Sequence, residues 1–237
     1  MAAKGERKAM GGRYLGILIA GILAVGAVLP AAAAVKSPHC YQSCPAALVG
    51  DQGVVRHRAF TLAPDPETKI AQWVAYKITA ATLGDARPRR WRADPSLPDA
   101  DVLEPADYRG AARAGYDRGH LAPLASLAGN AGWAETNYSS NLAPQLRSLN
   151  RGSWARQEAA ERRLITKDGY RAVYVVVRPL YERPMPPLPN ADESHRVPSG
   201  FIKTIIAVKD DHVWRASVRF DQRPDLLAAV PAAHFRK

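Results

Sequence analysis

Only one segment of this chain reads as a long helix, and strand patterns flank it on both sides. Residues 148–165 are rich in good helix formers, and Lys167-Asp168-Gly169 closes the run. Ahead of it, residues 54–62 and 72–79 carry β-branched and aromatic side chains in partial alternation, the pattern of strands. Behind it, residues 172–177 form a continuous apolar run that suits a buried strand. Residues 200–208 and 213–220 read as a strand pair around Lys209-Asp210-Asp211-His212. A lone helix between strands is not a repeated βαβ rhythm, so the expected class is α+β. Residues 82–105, rich in Pro, Asp and Arg, read as loop. Residues 121–141 are mixed, with a short helix expected near 133–137. Residues 179–198 hold six prolines and read as an irregular loop. No internal repeat follows residue 35, and residues 35–237 are expected to form one domain.

The N-terminus belongs to a different category. Lys4, Arg7, Lys8 and Arg13 precede an apolar run at 14–29, and Pro30 and four alanines follow. This is the pattern of a secretory signal peptide over residues 1–34, cut near Ala33 or Ala34. The alternative is an uncleaved signal anchor, for which the run is short against a span of roughly 20 residues. No later stretch is apolar enough to cross a bilayer, so no stable membrane association is expected after cleavage. The destination is then the periplasm or the medium. Setting the segment aside lowers the formal net charge from +11 to +8, because it holds four basic residues and one acidic one. The remaining excess points to a polyanionic partner or to an indifferent basic surface, and charge alone does not choose. Apolar residues at 47% and charged residues at 23% exclude wholesale disorder and a coiled coil. Cys40 and Cys44 are too few for a four-cysteine zinc site. In an oxidising compartment they are expected to close a small disulfide loop. A metal reading with His39 needs further ligands.

The informative region is 116–163. It opens Tyr116-Asp117-Arg118-Gly119-His120, which joins a carboxylate, a guanidinium, a hinge glycine and an imidazole. Histidine is the natural general base near neutral pH, and Asp117 is placed to orient it. Arg118 can hold a phosphate bidentately. On the helix, Asn150, Trp154, Glu158 and Arg162 recur at steps of four, which keeps them on one slowly drifting face. An amide oxygen plus waters suits a hard ion such as Mg²⁺. Glu158 can hold one of the ion's waters, and Arg162 can meet phosphate. Periodicity alone favours a plainer reading of these two, an i,i+4 pair on a solvated face worth a few tenths of a kcal/mol. Trp154 is expected to pack the helix onto the sheet.

Taken together, these residues resemble the DNA/RNA non-specific endonuclease family, above all its secreted Serratia-type branch. Asp-Arg-Gly-His is followed by Asn141, Gln145, Asn150 and Glu158 at the family's spacing. The likeness includes Cys40 and Cys44, Trp73-Val74-Ala75-Tyr76, Trp91-Arg92-Ala93-Asp94-Pro95 and Ala106-Asp107-Tyr108. It continues through Ser140-Asn141-Leu142-Ala143-Pro144-Gln145, Pro179-Leu180-Tyr181-Glu182-Arg183 and Val197-Pro198-Ser199. It fades after Asp221, where the family continues with a helix, further strand and a second disulfide.

The resemblance implies an α+β domain with a central antiparallel sheet and a ββα-metal (His-Me finger) site. It implies His120 as general base, Asn150 as the one direct protein ligand of Mg²⁺, and Glu158 positioning the ion's water. Mn²⁺ is a possible substitute, and the sequence does not choose among divalent ions. Asn141 would orient the histidine's neighbourhood, and Arg118 and Arg162 would lie near the phosphate. Arg89 would stabilise transition-state charge, with Arg90 adjacent to it. DNA and RNA would be held through the phosphate backbone and cleaved to 5′-phosphate products, by a monomer or a homodimer. Two other functions compete: an exported nucleic-acid binder without catalysis, and a phosphodiesterase for small substrates or lipid head groups. The intact His120, Asn150 and Glu158 weigh against the first, and the basic charge against the second.

Overall fold

The computed structural model describes Met1, residues 35–47 and residues 53–223. The chain divides into two compact units, Met1–Ala32 and Ala33–Lys237, and the fold that follows is that of the second. The expected signal peptide lies, apart from Met1, outside the described residues. Among the described residues no helix is long and apolar enough to cross a membrane.

The protein is α+β. In chain order the strands are β1 (Val55–Arg56), β2 (Phe60–Ala63), β3 (Trp73–Ile78), β4 (Tyr116–His120) and β5 (Leu142–Leu146). They are followed by β6 (Ala172–Leu180), β7 (Gly200–Lys209) and β8 (His212–Asp221). The α-helical segments are α1 (Leu124–Leu127), α2 (Arg147–Leu149) and α3 (Ala155–Thr166). Six strands form one sheet in the order β1-β2-β3-β6-β7-β8, and β4 and β5 form a separate ribbon. Every pairing is antiparallel.

Strand β3 is buried on both faces, while in β6 one face is buried and the other, with Tyr174 and Val176, is half-buried. In β3 all residues except Lys77 are buried. The strand pair expected at 200–208 and 213–220 is β7 and β8, joined by a two-residue turn with Asp210 at φ 48°.

Three expectations change. The single strand at 54–62 is a hairpin of β1 and β2, with Val55 opposite Leu62. His57 N–H donates to Phe60 O at 2.9 Å across the turn, and the Glu135 carboxylate accepts Arg58 N–H at 2.7 Å. Strand β6 runs on to Leu180, into the proline-rich stretch. Its pairing with β3 stops at Val177, so Pro179 withdraws an N–H only where no strand lies on that side.

The long helix is also not continuous. Between α2 and α3, Asn150–Trp154 makes a π-type turn, with Gly152 at φ −103°, ψ −110°, outside the helical range. Trp154 packs as expected, edge-on to Phe201 at 5.3 Å and Phe220 at 5.0 Å. The buried face of α3 beyond it is mixed, with Gln157, Glu161 and Leu164. Glu161 is fully buried and accepts from Tyr76 Oη at 2.6 Å and from Lys203 Nζ at 3.1 Å. Lys203 Nζ also lies 4.2 Å from the centre of the Trp154 ring. A paired charge, beside the apolar contacts of Trp154 and Leu164, joins this helix to β3 and β7.

Candidate active site

Strand β4 supplies the first half of the site. Period two places Tyr116, Arg118 and His120 on one face of the ribbon. Gly119 is not a hinge. It lies in extended strand, and the Gln145 side chain crosses it so closely that a Cβ would meet Gln145 Oε1 at 2.2 Å. Directly after β5 the chain turns into α2 and the π-type turn, which brings Asn150 back beside β4.

The residues meet in a cleft of about 740 Å³. It is lined by Arg89, Trp91, Tyr108, Asp117, Arg118, His120, Asn150 and Glu158, with Pro123 to Ala125 on one side. Arg89 rather than Arg90 lines it. The loop bearing Arg89 and Trp91 is pinned by buried Asp94, whose carboxylate meets His57 Nε2 at 2.8 Å and the Ser140 hydroxyl.

His120 is the group held ready. Its Nε2 is buried with no hydrogen-bond partner among the described residues. Burial above all, then the positive charge of Arg89, lowers its pKa to about 4, and the Asn137 side chain opposes the shift. The ring is therefore neutral at pH 7 and can accept a proton. The Trp91 ring lies 5.1 Å from it, centre to centre.

Asp117 does not orient His120. Its carboxylate accepts Asn150 Nδ2 at 3.0 Å and Arg151 Nε at 2.8 Å. Burial pushes the Asp117 carboxyl up, but these hydrogen bonds outweigh it and leave the group below its ordinary range. With Nδ2 engaged, Oδ1 of Asn150 is the atom left to ligate a cation, and amide oxygen beside carboxylate and water suits a hard ion. The residues present thus fit the Mg²⁺ that the resemblance implies. Burial raises Glu158, with Lys203 drawing it back.

Arg118 is clamped. Its guanidinium lies 5.4 Å from the Tyr108 ring and 5.9 Å from the Trp91 ring, and Nη2 donates to Pro105 O at 3.2 Å. Its Nε has no partner among the described residues. The sequence carried no sign of this clamp or of the Asp117–Asn150 bond, since both join side chains far apart in the chain.

Two expected site residues stand outside the cleft. Asn141 is fully buried and works on backbone. Its Oδ1 accepts Ala122 N–H at 2.8 Å, and Nδ2 donates to Ala122 O at 2.9 Å and Thr136 O at 2.8 Å. It fixes the chain just past His120. Arg162 lies one turn beyond Glu158 and donates to Ser126 Oγ at 3.2 Å. A separate carboxylate group, Asp107, Asp192 and Glu193, brings ligand oxygens within 4.8 Å of one another, and none of the three lines the cleft.

A two-stranded ribbon and a following helix that turn a histidine and a carboxamide into one arginine-lined cleft have the architecture of ββα-metal nucleases. A sequence model of the DNA/RNA non-specific endonuclease family matches residues 38–224, and the chain belongs to that family. It is 46% identical to a nuclease of Serratia marcescens over 186 residues, which is 78% of this chain and 70% of that protein. It is 37% identical to human mitochondrial endonuclease G over 131 residues, 52% of this chain and 41% of that protein. A chain in the crystal structure of the EndoG/EndoGI complex superposes with a TM-score of 0.60 at 30% identity. That match covers 72% of this chain and 74% of the other.

Proposed function

We propose that this protein is an exported, Mg²⁺-dependent endonuclease that hydrolyses the phosphodiester bonds of DNA and RNA to 5′-phosphate ends. One observation carries the reading. A neutral histidine with a free buried nitrogen shares a cleft with a carboxamide oxygen and with Arg89 and Arg118.

In this reading His120 Nε2 takes a proton from the attacking water as its oxygen bonds to phosphorus in line with the leaving 3′-oxygen. Asn150 would hold the divalent ion, Mg²⁺ or Mn²⁺ in its place, which when bound neutralises charge on the scissile phosphate and the leaving oxygen. Glu158 accepts hydrogen bonds from water of the ion's hydration shell. Arg118, clamped between two rings, and Arg89 hold the phosphate oxygens as charge grows on them. Arg162 stands ready for a neighbouring phosphate, and Asn141 keeps His120 in place through the backbone. Contacts of this kind are made to the backbone and not to base edges, so deoxyribose and ribose strands are treated alike. The signal-peptide pattern of residues 1–34 supports export, and so does the Cys40–Cys44 disulfide.

The test is digestion of plasmid and of RNA in Mg²⁺ and in EDTA, beside His120→Ala. Digestion of both in Mg²⁺, lost in EDTA and in the variant, is expected. Wild-type protein that leaves both intact in Mg²⁺ sinks the reading.

A further inference from the structure

Helix α3 floors more than one hollow. Arg151, Ala155 and Glu158 line the cleft, while Ala159, Arg162, Arg163, Thr166 and Lys167 line a second, more open groove of about 670 Å³. From Ala155 to Thr166 these positions follow steps of three and four, so they form a single stripe along α3, with Arg151 in the π-type turn before it and Lys167 at its C-terminal end. Ala125, exposed, lines both hollows and marks their seam.

The opposite wall of the second groove is Leu83 and Gly84. It is set by a side-chain-free clasp of two loops. Gly129 N–H donates to Thr82 O at 2.9 Å, and a Cβ on Gly84 would lie 2.8 Å from Gly129 N. Any larger residue at either glycine would meet backbone of the other loop.

The cations along the helical stretch differ, while Arg89 and Arg118 on the far wall of the cleft have no ion-pair partner among the described residues. Arg147 and Arg151, at the cleft end, are ion-paired with Asp117. Arg163 and Lys167 are exposed, and among the described residues neither has a carboxylate partner. The helix dipole favours cations near a C-terminus. It does not require them to face a groove continuous with the cleft.

We propose that the second groove is a distal phosphate subsite, in which Arg163 and Lys167 hold the backbone of the same nucleic-acid strand beyond the scissile bond. The proposal rests on the nuclease reading of the cleft. From Glu158 to Lys167 the helix rises about 14 Å, at 1.5 Å per residue. At 3.4 Å per nucleotide along a strand, that is about four steps. Cleavage then speeds up with substrate length over about four nucleotides on one side of the cut and levels off after that.

The experiment compares wild type with the double variant Arg163→Gln/Lys167→Gln. The substrates are a thymidine dinucleotide and single-stranded 12-mers of DNA and of RNA, in Mg²⁺. The readout is the ratio of kcat/KM for each 12-mer to that for the dinucleotide. The ratio is expected to fall about tenfold in the variant, equally for DNA and RNA. Binding of a labelled 12-mer in EDTA should lose about 1.4 from its slope of log affinity against log salt, two single-strand contacts' worth. An unchanged ratio and slope overturn the subsite. So does an equal loss on the dinucleotide and the 12-mers accompanied by a lower melting temperature, which is what a purely structural role at the helix end predicts. Wild type that cleaves none of the substrates overturns the nuclease reading itself and takes the subsite with it, whereas wild type that cleaves the 12-mers no faster than the dinucleotide overturns the subsite alone.

Discussion

Helix α3 separates two polar clusters that differ in one respect. On its inner side Glu161, Lys203 and Tyr76 are fully buried and meet one another at hydrogen-bond distance. On its cleft side His120 Nε2 and Arg118 Nε are just as enclosed, yet neither has a partner among the described residues. A completed buried network fixes one packing of helix on sheet. An uncompleted one costs free energy and persists where a ligand is to supply the missing contacts. The protein keeps stability and chemistry on opposite sides of the same few turns.

The division can be broken from either side. His120→Ala should lower kcat on plasmid DNA by about two to four decades. Its melting temperature should fall far less than that of Lys203→Met, since Nε2 has no partner to lose. Lys203→Met should do the reverse. It leaves the Glu161 carboxylate buried and unpaired, at a cost of about 3–5 kcal/mol, read by denaturant unfolding. Adding Glu161→Leu should recover part of that loss. If Lys203→Met spared stability and abolished turnover, the two clusters would not be separate.

Smaller effects sharpen the cleft side. Asp117→Ala frees the Asn150 amide to rotate, and the Mg²⁺ concentration for half-maximal activity should rise about 10- to 100-fold. A Mg²⁺ titration that did not move would remove Asp117 from the site. Arg89→Gln should act on the pH profile. Arg89 holds the His120 pKa down, so its removal lifts that pKa and shifts the acid limb of kcat/KM to higher pH. Burial is the larger cause, so the limb should still lie below pH 6.5. The sign for folding follows from the same shift. The unfolded histidine takes up its proton near 6.5 and the folded one near 4, so stability falls as pH drops through that window.

Much of the fold was legible because local patterns match final environments. The apolar run at 172–177 is a strand with one face buried and the other half-buried, and Trp154 buries its ring against Phe201 and Phe220. The interruption at Asn150–Trp154 was not read, although Gly152, a poor helix former, is the residue that leaves the helical range. Nor was the β1–β2 turn, whose backbone donors are met by a carboxylate from residue 135.

The sequence by itself determined which chemical groups the protein owns and their spacing in short motifs. The groups alone left the reaction open, and the class of reaction came from the resemblance of these motifs, at their spacing, to the DNA/RNA non-specific endonuclease family. The tertiary structure decided what each group is free to do. It bonded Asp117 to Asn150 rather than to His120, clamped Arg118 by Trp91 and Tyr108, placed Arg162 in the second groove and left His120 neutral. Those outcomes depend on burial and on neighbours far apart in the chain, and both come into being only when the chain folds.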